Sequence, residues 1–277
     1  GLSLASLRLD AGERDTASAG VSFASSASQH DTLRRNSSNV SSGSGRSSRR
    51  HLPFSARVQQ AEADEGAIVF VHGIGVGVWT YYLFISAMVE RFPNKDIFLP
   101  ELDYVSMRLS EYVPSARQGV AGLRLMLLSQ GFARAVWAAH SYGTFVVGHC
   151  LRFEPSIVEH VIQIDPVCFL IHQMDGPFQF LFAPPSCAQA RLIHYIAQTE
   201  IGVVHTLSRR LWWYQSIVWE DHIPSGSAVV LSAKDTIVPS ASVRHYLQHS
   251  SHRIRLLWFE NLPHAGFVTN FDAIHQI

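Results

Sequence analysis

Three residues of this sequence carry the groups needed for nucleophilic acyl chemistry: Ser141, Asp235 and His264. Ser141 lies in "WAAHSYGTF" (137–145), where an apolar run meets His-Ser-Tyr-Gly and continues as an apolar, helix-like pattern. Ala139 and Gly143 flank it in an A-x-S-x-G pattern. Small flanks suit a strand that turns sharply into a helix, and such a turn lifts one hydroxyl clear of the chain. The start of that helix supplies positive potential and a free backbone N–H at Tyr142. Asp235 falls just past the apolar run of "VVLSAKDTIVP" (229–239), and His264 lies in the loop of "LLWFENLPHAGF" (256–267). Serine first, acid second and histidine last, each beyond a strand, is one of the chain orders of a Ser-His-Asp triad. Taken singly, each has a plainer reading: a strand-end turn, a turn or helix-capping aspartate, a solvated loop histidine.

A second oxyanion donor is expected in "FVHGIGVG" (70–77), at the backbone N–H of Ile74. His72 packs beside the site and is a candidate substrate contact. Asp165, at the end of the strand in "VIQIDP" (161–166), is the alternative acid and a further candidate substrate contact. Residues 168–224 hold Phe169, Phe178, Phe180, Phe182, Tyr195, Trp212, Trp213, Tyr214 and Trp219. These aromatics line an apolar acyl pocket or form the core of a lid. Trp212 and Trp213 are carried as candidate substrate contacts. The histidines lack metal-ligand spacing such as H-E-x-x-H, so no metal or cofactor is expected.

These groups need elements to hold them. Short apolar runs at 67–73, 96–104, 134–141, 159–167, 227–235 and 252–262 read as strands. Helical spacing appears over 80–92, 115–131 and 142–153, with Gly131 as a C-cap. The alternation predicts an α/β fold: a mostly parallel sheet covered by helices on both faces. Residues 168–224 break the alternation and read as a helical insertion over one end of the sheet.

Composition sets the bounds. Basic and acidic residues number 22 each, which gives no electrostatic case for nucleic acid. Cys150, Cys168 and Cys187 have no metal or redox spacing and read as reduced, packed thiols. No acidic residue lies between Asp31 and Glu62, where "LRRNSSNVSSGSGRSSRR" dominates. Such a stretch buries too little apolar surface to offset its ordering entropy, so residues 1–55 are expected to be disordered and 56–277 to form the domain. The chain opens on Gly1 and stops at Ile277 within a helical pattern, so both ends read as truncated, with any targeting or membrane segment out of view. Localisation is left unassigned, with an intracellular setting as the working expectation, and the oligomeric state is unassigned.

From about residue 66 to 277 the chain resembles the α/β-hydrolase superfamily, on "HGIGVG", "AHSYG", "SAKDTIVP" and "NLPHAGF". More narrowly, "IDPVCFLIH", "EIGVVHTLSRRLWWYQSIVWED" and "HSYGTFV" resemble a group of poorly characterised fungal, algal and protist α/β-hydrolases. The resemblance implies a serine hydrolase with Ser141 as nucleophile, His264 as base, Asp235 as acid, and the Ile74 and Tyr142 amides as oxyanion hole. Two departures stand out. Ala139 replaces the usual glycine, and the first two strands of the full fold lack a counterpart in the serine-rich N-terminus, so a sheet shortened on one side is expected. The expected substrate is a small-molecule ester or lipid with medium-chain or lipid-like acyl groups, and the aromatic insertion also suits contact with a membrane. Competing readings are an acyltransferase or cofactor-free lyase using the same triad, and a weakly active binding protein on this fold.

Overall fold

The computed structural model describes residues 3–7, 66–110, 112–173, 180, 184, 191, 194–249 and 253–277. Six strands run parallel: β2 (Ala67–Val71), β3 (Asp96–Glu101), β4 (Ala135–His140), β5 (Val158–Ile164), β6 (Ala228–Ser232) and β7 (Arg255–Phe259). Their spatial order is β3-β2-β4-β5-β6-β7, and β1 (Ser3–Leu7) joins the outer edge of β3 antiparallel.

A parallel sheet is covered on both faces, so its inner strands are rich in apolar residues, and all of β2 is apolar and buried. The pleat sorts the side chains. Val69, Val71, Trp137 and Ala139 enter one core, and Ile68, Phe70 and Ala138 enter the other. Helices α1 (Tyr82–Arg91), α2 (Ala116–Ser129) and α3 (Gly143–Phe153) follow β2, β3 and β4 in the chain. The first core takes Leu123 and Leu127 of α2 and Val147 of α3, while the second takes Phe84 and Met88 of α1. Short helices α4 (Ile201–His205) and α5 (Trp213–Ser216) belong to the insertion. Helix α6 (Ser240–Gln248) links β6 to β7, and α7 (Phe271–Gln276) closes the chain. Gly131 ends α2 in the left-handed conformation (φ +87°), as the sequence predicts.

The sequence assigns residues 1–55 to disorder, yet Ser3–Leu7 pairs residue for residue with Glu101–Ile97. A strand of five residues beside a low-complexity stretch gives too brief a pattern to read, and its pairing partner lies far along the chain. Ser3–Leu7 thus adds one strand to that side of the sheet, where the sequence suggested none. The rest of that segment, with Phe178, Phe182 and Cys187, lies outside the described residues. Cys150 and Cys168 are buried free thiols. No helix among the described residues is long and apolar enough to cross a membrane.

Because the strands are parallel, the C-terminal ends of β2, β4, β5, β6 and β7 share one edge. The loops there carry Ile74, Ser141, Asp165, Asp235 and His264.

Candidate active site

Ser141 follows β4 directly and adopts φ +50°, a left-handed conformation that is costly for a side chain with a Cβ. The surroundings hold it there. Its N–H donates to Ile164 O (3.1 Å), and its carbonyl accepts from Thr144 N (2.9 Å) and Thr144 Oγ1 (2.6 Å). A Cβ on Gly143 would stand 2.3 Å from Val71 O, so β2 and α3 can meet only at glycine.

The structure brings the three predicted groups together. His264 Nε2 lies 2.9 Å from Ser141 Oγ, and His264 Nδ1 lies 2.6 Å from Asp235 Oδ2. The other Asp235 oxygen accepts from Ile237 N (2.7 Å) and Val238 N (2.9 Å), so the carboxylate is locked by its own turn. That turn is the plain reading of Asp235, and here it also holds Oδ2 against His264 Nδ1. Burial opposes the charged form of His264. The charge and hydrogen bond of Asp235, with the charge of Asp165, outweigh it and raise the His264 pKa above the ordinary 6.5.

The carboxylate that bonds His264 Nδ1 is Asp235, not Asp165. It is fully buried, with Oδ1 accepting from Ser232 N (3.1 Å) and Oδ2 from Ala265 N (2.9 Å). His72 is buried and structural: Leu102 N donates to its Nε2 (2.9 Å), and its Nδ1–H donates to Gly73 O (2.7 Å). It ties the loop after β2 to the end of β3 and lines no cavity with Ser141. Burial lowers its pKa, so it is neutral.

Two residues escaped the sequence reading. Gly73 N donates to Tyr81 Oη (3.0 Å), which leaves the Tyr81 proton for His140 Nδ1 (2.7 Å). The His140 Nε2–H then faces Asp165 Oδ2 at 3.8 Å, beyond hydrogen-bond reach. Burial lowers the His140 pKa and keeps the ring neutral. His140 adjoins Ser141 in sequence, which was a signal, whereas Tyr81 in a helical run offered none. His140, Asp165 and His264 bring potential metal-ligand atoms within 4.8 Å of one another. Both Asp165 oxygens and both His264 nitrogens are already committed to hydrogen bonds within the site.

An apolar cavity of about 160 Å³ opens at Ser141, walled by Ile74, Phe145, Phe169, Phe180, Leu207 and Leu211. The N–H groups of Ile74 and Tyr142 meet no backbone acceptor among the described residues. Trp212 and Trp213 do not line this cavity. They stand on the surface, 54% and 52% exposed, with Tyr214 packed edge-on against Trp213. Of the insertion's described aromatics, Phe169 and Phe180 face the site, while Tyr195 and Trp219 are exposed with the tryptophan pair. A larger cleft of about 1030 Å³ lies at the N-terminal ends of the strands, beside Ile68, Met88 and Ile274, away from this chemistry.

No protein-family model matches the sequence, and no curated protein matches it. Solved structures do resemble it. A serine hydrolase from Cycloclasticus zankles superposes with a TM-score of 0.56 at 14% identity, covering 77% of this chain and 88% of that one. A probable hydrolytic enzyme from Pseudomonas aeruginosa gives 0.58 at 16% identity, over 76% and 83%. A thermophilic esterase from Thermogutta terrifontis gives 0.53 at 13% identity, over 77% and 88%. With a mostly parallel sheet, helices on both faces and these neighbours, the chain has the α/β-hydrolase fold.

Proposed function

We propose that this protein is a serine hydrolase of carboxylic esters with medium-sized apolar acyl groups. The observation that carries the reading is the unbroken line Ser141 Oγ, His264, Asp235, at 2.9 and 2.6 Å, at the mouth of an apolar cavity. His264 Nε2 takes the Ser141 proton as Oγ attacks the ester carbonyl. Asp235 holds the ring with Nδ1–H toward itself and stabilises the imidazolium that forms. The Ile74 and Tyr142 amides receive the tetrahedral oxyanion, each donor contributing about 3 kcal/mol in comparable sites. His264 then protonates the leaving alcohol, and water, activated by the same base, releases the acid from the acyl-enzyme.

The cavity sets the acyl size. At about 160 Å³ with apolar walls, it compares with the engineered ~150 Å³ cavity that takes up benzene. A six-carbon acyl group matches that space. Each methylene that enters adds about 0.8 kcal/mol of binding, up to the limit of the walls. Membrane contact and a lipid substrate would place the exposed tryptophans at an interface, and the closer likeness to fungal, algal and protist hydrolases rests on the sequence motifs.

The test is a p-nitrophenyl ester series from acetyl to decanoyl, on the wild type and Ser141→Ala. Catalytic efficiency should rise to about hexanoyl and then level or fall, and the variant should be inactive on all. A series in which acetyl is best, with a steady decline thereafter, would rule out the apolar acyl pocket.

A further inference from the structure

Asp165 is a buried carboxylate that the proton transfers above do not use. Its segment nevertheless touches all three catalytic loops. Ile164 O accepts the Ser141 amide (3.1 Å). Asp165 Oδ1 accepts the amide of Ser232 (3.1 Å), at the end of the strand that leads to Asp235. Asp165 Oδ2 accepts the amide of Ala265 (2.9 Å), the residue after His264. Asp165 and Ala265 both hold left-handed backbones, at φ +42° and +61°. Such conformations persist where the surroundings over-determine them.

The charge on Asp165 also needs an account. Among the described residues no lysine or arginine pairs with it. The titratable groups around it are His140, whose Nε2 stands 3.8 Å from Oδ2, and His264, with Tyr81 behind His140 and Asp235 across His264. A buried carboxylate is tolerated when hydrogen-bonded and opposite a positive charge. Burial disfavours the Asp165 anion, but the N–H dipole of the nearby His140 ring, His264 and the Ser232 amide outweigh it and hold its pKa below the usual carboxylate value. His140 is neutral, so the one full positive charge that arises beside Asp165 is the imidazolium formed at His264 during reaction.

We propose that Asp165 is a positioning residue of this site: through the Ser232 and Ala265 amides it sets Asp235 and His264 against Ser141, and its charge favours the imidazolium of His264. The proposal rests on the reading of Ser141 as nucleophile. It gives the second carboxylate a task other than that of triad acid. Asp165 lines no part of the substrate cavity, so its effect falls on the chemical step and not on binding.

Asp165→Asn tests this, because the amide keeps the shape, loses the charge, and can accept fully from only one of the two backbone amides. On p-nitrophenyl hexanoate, kcat should fall about 10- to 100-fold, the scale of a small misplacement of catalytic groups. KM should stay within about twofold, since ground-state binding is untouched. The acid limb of kcat/KM should move to lower pH, because a negative charge beside His264 is gone. The His264 imidazole titration, followed by NMR in the Ser141→Ala background, should shift the same way, and this readout does not depend on ester turnover. Should the asparagine variant fail to melt cooperatively, Asp165→Ser, a smaller uncharged acceptor, carries the same expectations. An unmoved His264 titration with wild-type kcat, or a raised KM at unchanged kcat, would overturn the proposal. Absence of ester turnover in the wild type, with the His264 titration shifting as expected, would instead count against the hydrolase reading.

Discussion

The C-terminal edge of the sheet and the insertion over it are built by different rules. At the edge, two carboxylates are buried and fully hydrogen-bonded. Asp235 accepts from two amides and from His264, and Asp165 from two further amides. In the insertion, the large side chains divide: Phe169 and Phe180 turn to the cavity, while Trp212, Trp213 and Tyr214 face solvent at about half exposure. On the proposed function, the edge would fix which bond is made, because its geometry is set by hydrogen bonds. On the same proposed function, the insertion would set what fits, through the apolar contacts of Phe169 and Phe180. Substitutions at the edge should therefore change rates by orders of magnitude, and those in the insertion should change preferences.

The largest effect is expected at the nucleophile. Ser141→Ala should abolish hydrolysis, by about a million-fold in kcat on the precedent of a protease triad, with the thermal melt close to wild type. Loss of activity together with loss of the cooperative melt would place Ser141 in the framework instead. Next comes Asp235→Asn, which should lower kcat by about 10⁴-fold, because the histidine then rests in the wrong tautomer. Steady-state kinetics beside Asp165→Asn ranks the two carboxylates, and a larger loss at Asp165 would reverse their roles.

The pH profile follows from the edge alone. His264 must be neutral to act as a base, and its pKa is raised above 6.5 by Asp235 and Asp165 against the opposing effect of burial. Activity should therefore be lost as pH falls through a value above 6.5, and a profile flat down to pH 5 would contradict the assigned base. The insertion should respond more mildly. Leu207→Trp narrows the cavity wall and should lower efficiency on hexanoyl relative to acetyl esters by about tenfold or more, the reach of one or two methylenes. Trp212→Ala and Trp213→Ala, by contrast, should leave efficiency on soluble esters within about twofold. A strong effect there would bring those rings into the substrate path.

Much of this edge was legible in the sequence. Ser141, Asp235 and His264 each follow a short apolar strand, so local pattern alone placed them at strand ends, and a parallel sheet puts such ends side by side. The small residue at Gly143 was legible for the same reason, since a Cβ there would strike Val71 O. What escaped depends on contacts between distant segments. Tyr81 reaches His140 across 59 positions, and Asp165 reaches Ala265 across 100. Helix α6 was passed over because its buried face is only Ser240, Val243 and Leu247, a thin apolar stripe. The orientation of Trp212 and Trp213 was beyond reach for another reason. Composition counts aromatics, but nothing in it says which way a ring on a short helix turns.

The proposed chemistry turns on one covalent event at Ser141, and mapping a fluorophosphonate adduct by peptide mass spectrometry observes it directly. The adduct should lie on the peptide carrying Ser141. Its rate of formation should fall with pH as His264 protonates, and it should be absent from His264→Ala at matched concentration. An adduct on another serine, or labelling of Ser141 that persists undiminished without His264, would contradict the triad.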